Sequence, residues 1–182
     1  ANLHNARRAN TPIVNIVGDH ATYHLQYDAL LTSDIVGFAR PVSSWIHEST
    51  RSNNVATDTA RAVQAARSAP GGIATLILPA DTAWNEADRA APMLADIGPA
   101  PVSSEAIDDI AKLLTNGKKT AILLRGASLY GEGLEAAGRV QAKTGARLLC
   151  DTFAPHIELG AGRVPVERIP YFAEQIVEYL KG

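Results

Sequence analysis

The chain has 182 residues, 46% hydrophobic and 20% charged, with a formal net charge of -2. That balance supports a buried core and excludes a disordered chain, and with no basic cluster beyond the pair Arg7 and Arg8 it excludes a nucleic-acid or anionic-membrane footprint. No apolar run has the length of a membrane span, the first residues lack a signal-peptide layout, and the single cysteine, Cys150, reads as a small buried hydrophobe; a soluble, cytoplasmic protein is expected.

The chain opens on "ANLHNARR", without methionine and already in a helical pattern, which predicts a piece of a longer protein. "PIVNIVG" (12–18) reads as a strand bounded by Pro and Gly. The stretch "GDHATYHLQYDALLTSDI" (18–35) follows directly, so Asp19 and His20 are expected at the carboxyl end of a parallel strand, where open α/β sheets gather ligands. His20 and His24 are spaced i, i+4, a metal-binding arrangement if helical. However, the glutamate of the helical zinc signature is replaced by Ala21, and an ordinary loop is the competing reading. Trp45 and His47 follow an apparent strand, and packing accounts for the tryptophan.

A helix is predicted from about Thr57 to Ser68, ending before "APGG", and a strand at "IATLILP" (73–79). Between Trp84 and Val102 the text carries Pro92, Pro99 and Pro101 and no sustained period, which predicts a linker over 86–101 between domains at 1–85 and 102–182. In Ser103 to Asn116, Ile107, Ile110, Ala111 and Leu114 fall at i, i+3, i+4 and i+7; Ser103 can cap this helix and Gly117 stop it. Strands follow at "TAILLRG" (120–126) and "ARLLCD" (146–151), with helices over 134–143 and 171–180. Alternating elements of this kind predict an α/β fold of parallel sheets covered by helices, its strands buried on both faces. "RGASLYGEG" (125–133) could bring backbone amides to a phosphate, but its spacing matches neither the dinucleotide fingerprint nor a P-loop, and a tight strand-to-helix turn is the plainer reading. His156 reads as a solvent-facing loop residue.

The run "TPIVNIVGDHATYHLQYDALLTSDIVGFARPVSSW", followed by "APGGIATLILPADTAW", resembles the second half of the pyrimidine-binding domain of thiamine-diphosphate enzymes. The register holds from Gly18 through the pair Asp28–Ala29 to Arg40–Pro41. The later half, from "SSEAIDDIAKLL" to "GARLLCDTF", resembles the start of their central, Rossmann-like domain. Acetolactate synthase large-subunit-like proteins are the group it is most similar to, with benzoylformate decarboxylase-like relatives beside them. The resemblance implies a 2-keto acid as substrate, decarboxylation, and transfer or protonation of the remaining carbon fragment. It implies thiamine diphosphate and Mg2+ in the full-length protein, FAD as an option no motif here demands, and a homodimer or homotetramer with sites between chains. The family's activating glutamate would lie upstream of Ala1, and the Gly-Asp-Gly that holds magnesium and diphosphate does not occur. No catalytic residue and no metal ligand is therefore expected in this segment, which should be inactive alone.

At the two substrate-pocket positions after the Asp-Ala pair the chain carries Leu30 and Leu31, where acetolactate synthases have Phe-Gln and benzoylformate decarboxylases two leucines. An apolar pair offers no proton donor or acceptor. Asp19 and His20 become the expected polar contacts at the cofactor rim, with Gly18 beside the cofactor. The alternative reading is a non-catalytic α/β module that binds a nucleotide or flavin, or pairs with a subunit.

Overall fold

In the computed structural model, which describes residues 1–181, the apolar runs become parallel strands and the periodic segments helices, in two units: Ala1–Pro99 and a second beginning at Ala100. The first unit contains α1 (Asn2–Arg8), β1 (Ile13–Asp19), α2 (Ile35–Ala39), β2 (Trp45–Glu48), α3 (Ser52–Arg67), β3 (Ile73–Pro79) and α4 (Ala80–Trp84). Its sheet has the order β1-β3-β2, all parallel. β3 lies at the centre because it alone is apolar on both faces; every residue except Leu78 is buried.

Helix α3 covers this strand with small side chains. Asp58, Ala62 and Ala66 recur every four residues as its buried face, and Ala62 and Ala66 pack with Ala74 and Leu76 of β3, flanked by Val14 and Trp45. Alanine favours the helix and lets its backbone approach the sheet closely. The helix begins at Ser52, five residues before the expected start, because its first turn "SNN" is polar and carries no apolar periodicity to reveal it. Trp45 and His47 also need correction: they do not follow a strand but lie on one, β2, whose four residues "WIHE" are too short and too polar to register as a strand.

Residues 86–97 have no regular structure, yet they are bonded along α3. The Ser52 hydroxyl donates to the Glu86 carbonyl (2.7 Å), Gln64 Nε2 to the Ala95 carbonyl (2.7 Å), and Arg67 pairs with Asp96 at 2.9 Å.

The second unit contains α5 (Ser104–Leu114), β4 (Ala121–Leu124), α6 (Gly131–Thr144), β5 (Arg147–Cys150), β6 (Glu167–Arg168) and α7 (Ala173–Lys181), with the parallel order β4-β5-β6. Its core joins Leu124, Leu129, Ala137, Leu148, Cys150 and Ala154. Cys150 is fully buried, and burial pushes its thiol pKa up. Ser103 caps α5 through its hydroxyl, and α6 ends on Gly145 in the left-handed conformation (φ 72°), which glycine adopts without a Cβ penalty. The expectation of strands buried on both faces holds for β3 but not for β1 and β4. Both stand at sheet edges and leave Ile16 and Leu123 more than half exposed.

Candidate functional site

β1 and β3 run side by side in a register that pairs Asp19 with Pro79, so both leave the sheet at the same carboxyl edge. A cavity of about 800 Å³ opens there. Gly18 and Asp19 line it from the end of β1, His20, Tyr23 and His24 from the loop beyond, and Ala80, Ala83 and Trp84 from α4. Leu31 and Ile35 add to an apolar wall. Its size and its mixture of apolar lining with a few polar groups suit a small organic ligand.

Four of the five residues expected at the site therefore meet at one cavity: Gly18, Asp19, His20 and Leu31. Leu30 does not line it. Asp28 takes the left-handed conformation (φ 46°) that short polar side chains tolerate. The Thr32 N–H then donates to the Ala29 carbonyl (2.8 Å), closing a turn with Leu30 and Leu31 at its tip, 98% and 78% exposed.

Asp19 spends one carboxylate oxygen on the His20 N–H (2.7 Å). The His20 Nε2 is shielded from solvent and has no hydrogen-bond partner among the described residues. Asp81 and Thr22, which sequence reasoning passed over, tie the cavity rim together. The Thr22 N–H and hydroxyl donate to the two carboxylate oxygens of Asp81, at 2.8 and 2.6 Å. These bonds, the hydroxyl's foremost, hold the Asp81 pKa below the usual carboxylate value. Asp81 had a legible signal: an acidic residue in the first turn of a helix that starts directly after a buried strand, in "LILPADTAW".

His20 and His24 do not share a helical face. Their rings stand 5.3 Å apart across a loop that reaches only a short 3-10 turn at Leu25–Tyr27. Among the described residues no group of three or more His, Cys, Asp or Glu side chains is placed to hold a metal ion. His47 is engaged in packing and bonding. Its Nε2 lies 3.2 Å from the buried Asp58 carboxylate, which also accepts the Ser49 hydroxyl at 2.9 Å.

The stretch "RGASLYGEG" folds as a closed turn. The Ser128 hydroxyl accepts the Arg125 N–H (3.1 Å) and donates to the Arg125 carbonyl (2.8 Å). The Gly131 N–H, at the start of α6, donates to Glu158 Oε2 (3.0 Å), and this bond is the main reason the Glu158 pKa is lowered. A Cβ on Gly133 would meet the Ala127 carbonyl oxygen at 2.1 Å, so this glycine serves close packing. Arg125 and Asp151, on neighbouring strand ends, pair at 2.6 Å. His156 is exposed and meets the Tyr130 ring edge-on, centroids 4.9 Å apart.

No protein-family model matches the sequence. Over its whole length the chain is 46% identical to a Mycobacterium tuberculosis (strain ATCC 25618 / H37Rv) protein, provisionally named acetolactate synthase large subunit IlvX, of which it spans 35%. A provisionally assigned thiamin diphosphate-dependent enzyme from Mycobacterium smegmatis superposes with a TM-score of 0.78 over 98% of this chain and 35% of that one, at 20% identity. The thiamine diphosphate-dependent 4-hydroxybenzoylformate decarboxylase of Rhodococcus jostii RHA1 gives 0.69 over 82% of this chain and 29% of that one, at 19% identity. The chain thus spans about a third of the length of these relatives, and at such low identity the two solved structures speak for the α/β fold.

Proposed function

We propose that this chain, similar from end to end to about a third of an acetolactate synthase large-subunit-like protein, is a segment of a thiamine-diphosphate-dependent carboligase or decarboxylase acting on 2-keto acids. The observation that carries this reading is the 46% identity sustained over the whole chain. The cavity supports it, because it falls on the residues through which the sequence resembles the pyrimidine-binding domain.

Within that reading residues 1–85 are the later part of the pyrimidine-binding domain, 86–101 a connection, and 102–182 the start of the central domain. Leu31, Ile35 and Trp84 give one wall of the pocket an apolar surface, while Asp19 and His20 offer the polar contacts that a leucine pair cannot. Leu30, at the tip of its turn, reaches a substrate only from the rim. Gly18 leaves open space beside β1, with no atom within 4 Å of where a Cβ would stand.

The residues present do not fit the diphosphate and magnesium of the cofactor. Among the described residues no carboxylate or histidine group is placed for a metal, and the sequence holds no Gly-Asp-Gly. Those ligands belong to other parts of the enzyme, which we take to be a cytoplasmic homodimer or homotetramer. No motif in the sequence calls for FAD.

The test is carbon dioxide release from 2-keto acids by the product of the whole reading frame. Turnover that requires added thiamine diphosphate and magnesium is expected; turnover indifferent to both would defeat the reading. An intact mass from the native source equal to 182 residues would defeat its segment part.

A further inference from the structure

We propose that Asp81 is a positioning residue: acting through Thr22, it holds the loop carrying His20 and so sets the polar end of the cavity. The inference rests on reading this cavity as the substrate pocket.

The cavity has two walls that belong to separate parts of the chain. One is the loop after β1, with His20, Tyr23 and His24; the other is α4 after β3, with Ala83 and Trp84. The paired strands fix the walls at Asp19 and Pro79, but beyond those residues the strand ladder no longer holds the loop. There the Thr22–Asp81 pair takes over. It is two residues from His20 on one side and two and three residues from Ala83 and Trp84 on the other. Both Asp81 oxygens are used, one for the Thr22 backbone and one for its hydroxyl, which fixes the direction as well as the distance of the loop.

His20 is the residue this fixation affects most directly. Its N–H is held by Asp19 on one side, the clamp follows on the other, and its Nε2 is shielded without a partner among the described residues. A shielded polar atom without a partner is costly to keep and calls for an explanation. Here it is a loop held in place from outside, so the imidazole position depends on bonds two residues away.

The experiment is carbethoxylation of the five histidines of this chain, mapped by peptide mass spectrometry, in the wild type, Asp81→Asn, Thr22→Val and Thr22→Ser. With the clamp intact the His20 Nε2 reacts slowly. Asp81→Asn and Thr22→Val are expected to speed its modification about tenfold through local opening, with His4, His47 and His156 unchanged and Thr22→Ser restoring protection. The unchanged histidines and the serine rescue separate loop opening from general unfolding. Should one variant fail to fold, the other decides.

In the whole protein, Thr22→Val should raise KM for the 2-keto acid about tenfold and alter kcat less. His20 reacting equally fast in wild type and variants, or an unchanged KM, would overturn the inference. Absence of cofactor-dependent turnover would instead overturn the proposed function, while the modification pattern would still decide the clamp.

Discussion

Two turns leave the carboxyl edges of the two sheets, and they meet the same physical problem in opposite ways. After β4, "RGASLYGEG" closes on itself: Ser128 caps Arg125, Glu158 accepts the first amide of α6, and Gly133 presses against the Ala127 carbonyl. After β1, "GDHATYH" stays open: a Cβ on Gly18 would meet no atom within 4 Å, the loop walls a cavity of about 800 Å³, and the His20 Nε2 has no partner among the described residues. The glycine-rich turn looks like a ligand loop and has no amide to spare at Gly131; the glycine-poor one holds the room. Glycine content thus reports where backbone must pass backbone, whereas a binding edge is better marked by polar groups left without protein partners.

The sharpest way to break this contrast is a pair of glycine substitutions. Gly133→Ala should destabilise the chain by about 3 kcal/mol in urea unfolding, because its methyl has to displace the backbone of the preceding turn. Gly18→Ala, placed in an open strand position, should change stability by no more than about 1 kcal/mol. Equal effects at the two sites would erase the distinction.

Acid should loosen both turns, each through its own carboxylate. The pKa of Glu158 is lowered by the Gly131 amide and that of Asp81 by Thr22. A carboxylate with a depressed folded-state pKa contributes stability above its unfolded value, around pH 4, and loses it as pH falls through the folded value. Protection of the Gly131 and Thr22 amides, measured relative to the intrinsic exchange rate at each pH, should therefore fall below about pH 4. Glu158→Gln should abolish the acid dependence at Gly131 alone, and Asp81→Asn that at Thr22 alone.

The smallest effect is expected at Leu30. With 98% of its surface exposed, Leu30→Ala should leave unfolding within about 0.5 kcal/mol of wild type. A larger loss would mean that the turn tip is packed against something within this chain.

How much of this was legible follows the same contrast. β3 and α5 were readable because an unbroken apolar run and an i, i+3, i+4, i+7 pattern each name one structure. β2 was not, since a four-residue strand bearing His47 and Glu48 shows neither pattern; its place comes from pairing with β3. At the site, strand-end position was enough to place Asp19 and His20 beside the cavity, whereas Gly18 came only from the family resemblance. The contact of Thr22 with Asp81 stayed hidden, although Asp81 alone carried a signal, because the two lie 59 residues apart in sequence and meet only through the parallel register of β1 and β3. Trp84 was hidden likewise, as its role depends on α4 continuing directly from β3.

On the proposed function, this chain contributes part of a thiamine-diphosphate site, and the residues that hold the cofactor's diphosphate and magnesium lie elsewhere in the enzyme. Calorimetric titration of thiamine diphosphate with magnesium into the product of the whole reading frame, and into the 182-residue chain alone, tests it most directly. Stoichiometric binding by the former and no measurable heat from the latter is the predicted result. Tight binding by the isolated chain, or none by the whole protein, would overturn the proposed function.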